Sequence, residues 1–272
     1  MQGFNKPIDT ATKVAYLNQL LQVGFDVLDC GSFVSPKAIP QMADTAEVLP
    51  RLQMAGSRTQ LLVIVANERG AQEAVDFPTV SFLGYPFSIS PTFQQRNANS
   101  TLAQSWQRVQ AIHQLCLNGG KQLVVYLSMA FGNPYGDAYQ TNTVVEWADK
   151  LANLGVRTIA LADTVGMATP QQVNTVVSAA IAATSAAHIG VHLHSTPQLW
   201  LQKVEAALAA GCLRFDGAIN GVGGCPMAGN ALVGNMDTAL MVPHWLAQNR
   251  LPHIQPLAMQ QAVQMATGIF ST

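Results

Sequence analysis

The sequence lacks the features typical of nucleic-acid-binding, secreted or membrane-spanning proteins. Its 272 residues include only 14 Lys and Arg, and the formal net charge is −1, whereas phosphate recognition needs clustered cations. No apolar run approaches the roughly 20 residues that span a bilayer. The first ten residues contain no apolar core of a secretory signal. We therefore expect a cytoplasmic protein with no nucleic-acid or membrane partner.

Disulfide frameworks and nucleotide-binding glycine loops are missing as well. The four cysteines form no Cys-x-x-Cys pair, which in a chain of this size indicates reduced thiols. No dinucleotide fingerprint or P-loop follows a predicted strand. Only 11% of the residues are charged, whereas 49% are apolar, which is ample for a buried core. The low charge also indicates either a homo-oligomer, a dimer or larger, or a polar surface built from neutral Gln and Asn.

Seven short aliphatic runs predict strands that are covered on both faces, as in a parallel sheet. They are Phe25–Cys30, Leu61–Val65, Thr79–Leu83, Gln122–Leu127, Thr158–Leu161, Ile189–His194 and Arg214–Ala218. Stretches with helical spacing separate them: Thr10–Val23, Pro40–Leu49, Asn67–Val75, Leu102–Leu117, Thr143–Leu154, Thr169–Thr184, Pro197–Ala210, Met236–Asn249 and Pro256–Ile269.

This alternation predicts an α/β fold, and a TIM (β/α)₈ barrel explains the chain length best. We expect one barrel domain over residues 1–272, closed by a C-terminal helix. An open doubly wound sheet is the alternative. Because a barrel needs eight strands, the first strand is apparently lacking in this chain, and its neighbours Phe25–Cys30 and Arg214–Ala218 should border a gap or a segment that fills it.

His192 and His194 stand out because residues i and i+2 of a strand point to the same face. They come near the carboxyl end of a predicted strand, where barrel enzymes build their active sites. Two readings are open: a pair of metal ligands, or a pair of hydrogen-bonded core histidines. The pairing on one face favours the metal.

Other candidate residues follow strands or lie in loops. Asp29 and Asp163 end apolar strands, where a carboxylate is either part of a site or a cap for the next segment. Cys225 lies in a glycine-rich loop, a better setting for acid–base work than a helix interior. Asn235 could complete the oxygen shell of a hard metal or simply cap a helix. The polar segment Phe87–Asn99 is predicted to be a long loop on the same face.

Several motifs together resemble the hydroxymethylglutaryl-CoA lyase family of metal-dependent barrels. The matching segments span nearly the whole chain, and SFVSPK together with GGCP is highly specific. They are Ser32–Lys37 (SFVSPK), Pro134–Gly136, Asp163–Gly166 (DTVG), His192–His194, Gly223–Pro226 (GGCP) and Gly234–Asn235. Related synthases that condense acetyl-CoA with 2-oxo acids share the His pair but carry Gly-Glu-Arg in place of GGCP.

The resemblance implies a retro-Claisen cleavage of hydroxymethylglutaryl-CoA to acetoacetate and acetyl-CoA, a step of leucine catabolism. By matching position, His192, His194 and Asn235 would be ligands of Mg²⁺ or Mn²⁺. Cys225 would exchange a proton with the enolate of the leaving acetyl-CoA. Three further matches are Asp29, near the substrate hydroxyl, Asp163, in the pocket, and a substrate-binding group formed by Gln2, Ser32 and Gly224.

The sequence also departs from the family pattern. The family's first strand ends in Arg-Asp-Gly-x-Gln, and here Met1-Gln2 matches only the end of that motif. The Arg and the metal-binding Asp therefore fall before residue 1, either because the start was misassigned or cut or because the protein lacks them. Ser195 replaces an Asp, Lys203 an Asn and Asp29 a Glu. We expect weak metal binding and low activity, a subgroup with its own acyl-CoA or 2-oxo acid, or a catalytically impaired barrel.

Overall fold

The fold is seen in a computed structural model, which describes residues 1, 4, 6–223 and 233–271. One sheet contains seven parallel strands in chain order, which confirms all seven predicted strands. They are β1 Val27–Ser32, β2 Gln60–Ile64, β3 Val80–Ser88, β4 Gln122–Ser128, β5 Thr158–Ala162, β6 His188–His192 and β7 Arg214–Asp216.

Helices connect the strands and cover the outside of the sheet. They are α1 Thr10–Val23, α2 Thr45–Val48, α3 Glu68–Val75, α4 Pro91–Ala98, α5 Leu102–Asn118, α6 Thr141–Leu154, α7 Pro170–Ala183, α8 Trp200–Ala209, α9 Thr238–Leu246 and α10 Pro256–Ile269. Two predictions were wrong. The helix expected over Pro40–Leu49 is broken, because Pro40 starts a short 3₁₀ turn before α2 begins. The loop expected over Phe87–Asn99 instead contains the end of β3 and all of α4.

Strand side chains alternate between two different cores. The larger core lies between the sheet and the surrounding helices. A smaller apolar cluster, centred on Leu62, Phe82 and Val124, lies inside the curved sheet. Polar side chains stand above this cluster at the carboxyl ends of the strands, which places them in the part of the barrel where active sites are built.

The sheet is open between β7 and β1. Within the described residues, β1 is hydrogen-bonded only to β2 and β7 only to β6, as expected for a barrel that lacks its first strand. A cavity of about 1220 Å³ extends from the inside of the sheet into this gap. Apolar side chains of α1 and α9 and of the residue that follows α10 line it there, among them Leu17, Trp245 and Phe270. In the part of the chain that the structure covers, no helix is both long and apolar enough to cross a bilayer.

The glycine of α3 allows the helix to approach the strand end very closely. A Cβ at Gly70 would collide with the carbonyl oxygen of Phe33. We therefore expect Gly70→Ala to lower the free energy of unfolding by about 1–3 kcal/mol, although alanine favours a helix by about 1 kcal/mol over glycine. Gly268→Ala in α10 is the matched control, because nothing lies within 4 Å of its Cβ position. Urea unfolding should show no loss of stability for Gly268→Ala. If Gly70→Ala also causes no loss of stability, the close approach of α3 to Phe33 is contradicted.

Candidate active site

The two histidines lie side by side at the carboxyl end of β6. His192 is the last residue of the strand, and His194 follows just beyond it. Their ring centroids are 5.5 Å apart, as expected for residues i and i+2 on one face. Both side chains line the large cavity.

Asn235 is brought to the His pair by a short backbone pairing. His194 and Asn235 form an isolated antiparallel bridge, in which the amide of Ser195 donates to the Gly234 carbonyl at 3.1 Å. The side-chain amide nitrogen of Asn235 donates to the Val222 carbonyl at 2.9 Å. Its amide oxygen is then the atom available to a ligand in the cavity. The three residues predicted to bind a metal therefore meet at one place.

The surroundings keep His194 in its neutral form. Burial lowers its pKa to about 4, and the neighbouring His192 and Lys203 act in the same direction. A neutral imidazole has a free lone pair, which is the form that binds metals. At neutral pH His194 is thus ready to act as a ligand without releasing a proton.

Two charged residues of β7 belong to the site but were missed by sequence reasoning. Asp216 Oδ2 lies 3.5 Å from Nδ1 of His192, and Arg214 Nη2 lies 3.2 Å from Asp216 Oδ1. Burial alone would raise the pKa of Asp216, but Arg214 and His192 outweigh it and hold that pKa below its usual value. The available signal was their i, i+2 spacing, the same pattern that identified the His pair.

Asp29 points into the cavity from β1, across the interior from His192. The side chain is exposed to the cavity, but loss of solvent to the surrounding protein raises its pKa from the usual 3.8 to about 6, and the charge of Asp216 adds to the effect. The carboxylate still contacts the open cavity, so it can reach a bound molecule. A carboxylate with a raised pKa suits proton transfer near neutral pH.

The raised pKa of Asp29 gives a testable pH dependence of stability. A carboxyl group that binds its proton more tightly when folded stabilises the protein below its unfolded pKa, and this contribution is lost as pH rises through about 6. The wild-type protein should therefore lose free energy of unfolding between pH 4 and pH 7, whereas Asp29→Asn should not show this loss. Chemical denaturation at both pH values measures this, with Asp76→Asn as an exposed control. If the difference in free energy of unfolding between wild type and Asp29→Asn is the same at both pH values, the raised pKa of Asp29 is contradicted.

Two predicted site residues lie outside the cavity. Asp163 is 1% exposed, and its carboxylate is held by Lys203 Nζ at 2.8 Å and by the amide of Ala168 at 3.1 Å. It does not line the large cavity, and its predicted catalytic role stays a prediction. Lys203 also donates to the His194 carbonyl at 2.7 Å, so this ion pair supports the backbone of the His pair.

Ser32 is likewise displaced from the site. Its hydroxyl accepts a hydrogen bond from the Val34 amide at 3.2 Å, and it lines a separate small pocket beside Pro36 and Arg69. Ser32 does not line the large cavity, and its predicted contact with substrate stays a prediction. Gln2, Gly224 and Cys225 lie outside the described residues. From the Phe87–Asn99 segment, Phe93 and Asn97 of α4 line the cavity.

The side chains of His192, His194 and Asn235 offer nitrogen and oxygen atoms that could bind a metal ion. Among the residues with described positions, no group of three or more His, Cys, Asp or Glu side chains is arranged to hold an ion. The set here is two imidazoles and one amide oxygen, with carboxylates of Asp29 and Asp216 nearby. Nitrogen and oxygen ligands of this kind suit Mg²⁺ or Mn²⁺, which keep several waters or substrate oxygens. The residues present therefore fit a divalent cation that is only partly coordinated by protein.

Comparison with known proteins identifies the family and its fold. The HMGL-like family model matches residues 1–262. The mitochondrial hydroxymethylglutaryl-CoA lyase of Mus musculus is 32% identical over 244 residues, which cover 89% of this chain and 74% of the relative. The HMG-CoA lyase structure from Brucella melitensis superposes with a TM-score of 0.91 at 28% identity, covering 100% of this chain and 95% of that one.

A second solved structure shows what a similar protein binds. It is an HMG-CoA lyase from Acinetobacter baumannii in complex with coenzyme A and 3-methylmalate. Its TM-score is 0.90 at 32% identity, and the match covers 99% of this chain and 87% of that chain. The barrel described above is therefore shared, over almost its whole length, with proteins of this family.

Proposed function

The chain belongs to the HMGL-like family, and from this premise we propose that it is a carbon–carbon lyase acting on 3-hydroxy-3-methylglutaryl-CoA or a close hydroxyacyl-CoA. The products would be acetoacetate and acetyl-CoA. The observation that carries the proposal is the meeting of His192, His194 and Asn235 at the carboxyl end of the barrel, above a cavity large enough for an acyl group. The similarity to a lyase seen with coenzyme A supports an acyl-CoA substrate.

In this proposal His192, His194 and Asn235 hold Mg²⁺ or Mn²⁺. When bound, such a cation acts as a Lewis acid that favours loss of the proton from the substrate hydroxyl. Asp29 faces the same cavity, and its raised pKa suits a group that accepts this proton. Tyr126, whose ring centroid is 5.6 Å from that of His192, lines the same cavity.

Cleavage of the carbon–carbon bond leaves a thioester enolate that needs a proton. We assign this step to Cys225, since a thiol in a glycine-rich loop can approach the cavity and donate a proton. Gly224 and Gln2 stay proposed substrate contacts on the strength of the family match alone. Ser32 and Asp163 are left out of the mechanism because they do not line the cavity.

A second candidate is a barrel that binds acyl-CoA without cleaving it, because no group of three or more His, Cys, Asp or Glu side chains among the described residues is arranged to hold an ion. A third candidate, action on another acyl-CoA or a 2-oxo acid, is supported by Lys203, Ser195 and Asp29 at positions where the family has other residues.

One assay separates these candidates. The purified protein is incubated with hydroxymethylglutaryl-CoA and with 3-hydroxybutyryl-CoA, each with Mg²⁺, Mn²⁺ or a chelator, and acetyl-CoA and acetoacetate are quantified. We expect equal amounts of both products from the first thioester only, with loss on chelation and recovery when the metal is returned. Binding of coenzyme A without cleavage would favour the binding protein. In a parallel incubation with acetyl-CoA and a 2-oxo acid such as pyruvate, consumption of acetyl-CoA would favour a synthase.

The proposal extends to the state of the protein in the cell. A cytoplasmic homo-oligomer, dimer or larger, is supported by the low fraction of charged residues and by the exposed apolar side chains of Leu199 and Leu257. Sedimentation analysis of the purified protein measures the oligomeric state directly. A monomer at micromolar concentration would contradict this part of the proposal.

A further inference from the structure

A chain of three polar side chains connects β7 to the His pair inside the barrel. Arg214 Nη2 lies 3.2 Å from Asp216 Oδ1, and the other carboxylate oxygen, Oδ2, lies 3.5 Å from His192 Nδ1. The mechanism above uses only the last of these residues. Arg214 and Asp216 therefore have no role in that mechanism, although they lie next to His192.

The register of β6 and β7 fixes this arrangement. Gly190 pairs with Arg214 and His192 pairs with Asp216, so the two charged side chains stand directly beside the strand that holds the histidines. A Cβ at Gly190 would lie 3.0 Å from three carbons of the Arg214 side chain. The glycine thus provides the space in which the arginine stem lies against β6.

The guanidinium and the imidazole share a second neighbour. Tyr126 of β4 lies near Arg214, and its ring packs edge-on against His192 with centroids 5.6 Å apart. The His192 ring is therefore confined by Tyr126 on one side and by the Asp216 carboxylate on another. A ring held in this way cannot rotate freely to present either nitrogen to the cavity.

The two facing atoms have no other hydrogen-bond partner. His192 Nδ1 and Asp216 Oδ2 are both shielded from solvent, and neither forms a hydrogen bond with another described residue. A buried donor or acceptor without a partner is costly. A shift of a few tenths of an ångström would satisfy both atoms with one hydrogen bond, provided that the proton is on Nδ1.

We propose that Asp216, held in place by Arg214, is a positioning residue that keeps the proton of His192 on Nδ1 and presents Nε2 to the cavity. A neutral imidazole with its proton on one nitrogen has its lone pair on the other. Carboxylates that accept a hydrogen bond from a metal-binding histidine fix its orientation and strengthen the ligand. The effect on metal binding rests on the proposed function, whereas the position of the proton on His192 does not.

The first test reads the tautomer in the metal-free protein without substrate. Long-range ¹H–¹⁵N spectra of the wild-type protein, with the His192 signal assigned by comparison with His192→Gln, should show the proton on Nδ1. A proton on Nε2 overturns the proposal even if the Asp216 and Arg214 variants fail to fold. Because neither metal nor thioester is present, this result is independent of whether the protein is a lyase.

The second test measures Mn²⁺ affinity by electron paramagnetic resonance. We expect Asp216→Asn to weaken Mn²⁺ binding about 10–100-fold, the usual cost of removing such a carboxylate, and Arg214→Met to weaken it in the same direction but less. Asp44→Asn is the matched control, since it breaks a similar ion pair, with the buried Lys13, away from the cavity. Folding of each variant is checked by circular dichroism. Unchanged Mn²⁺ affinity in a folded Asp216→Asn protein would overturn the positioning role.

Discussion

Replacement of Lys203 with methionine is expected to lower the free energy of unfolding by about 3–5 kcal/mol. The side chains of Lys203 and Asp163 are 3% and 1% exposed and form an ion pair at 2.8 Å. Methionine removes the positive charge but not the carboxylate, which is left buried without its partner. Urea denaturation followed by circular dichroism measures the loss.

Two further variants show whether the buried charge is the cause. The double variant Lys203→Met with Asp163→Asn should be less destabilised than Lys203→Met alone, because the unpaired carboxylate is gone. Arg58→Met breaks the exposed ion pair with Asp26, whose partners are 50% and 70% exposed, and should cost at most about 1 kcal/mol. A loss for Lys203→Met as small as that of Arg58→Met would show that the ion pair contributes little.

Replacement of Cys225 with alanine is expected to lower kcat of the proposed cleavage by about 10²–10⁴-fold, the usual contribution of a positioned acid or base. Metal affinity should stay the same, since His192, His194 and Asn235 are the proposed ligands. Steady-state kinetics with hydroxymethylglutaryl-CoA, together with Mn²⁺ titration, separates the two effects. The thiol would be catalytic only if turnover falls while metal binding does not.

A second cysteine provides the control for this variant. Cys116 is fully buried in α5, on the outer layer of the barrel and away from the cavity. Cys116→Ala should reduce stability modestly and leave kcat unchanged. If Cys225→Ala also leaves kcat unchanged, the enolate receives its proton from another group.

Local patterns in the sequence determined most of the architecture. Strands and helices follow from the alternation of apolar residues, because the side-chain period of each element is set by its own backbone geometry. The His pair followed from the same rule. The rule failed at Phe87–Asn99, where polar composition predicts a loop. Ser90 caps α4 there, and Asp137 of a distant segment accepts hydrogen bonds from Thr92 and Ser90.

Only the tertiary structure decided which polar side chains work together. Asp163 and Asp29 look alike in sequence, since each ends an apolar strand. A lysine 40 residues later in the chain neutralises the first, while the second faces an open cavity. Likewise the register between β6 and β7 brings Asp216 to His192, and a backbone bridge brings Asn235 to His194. Such pairings depend on the register of segments far apart in the chain, and local periodicity carries no information about that register.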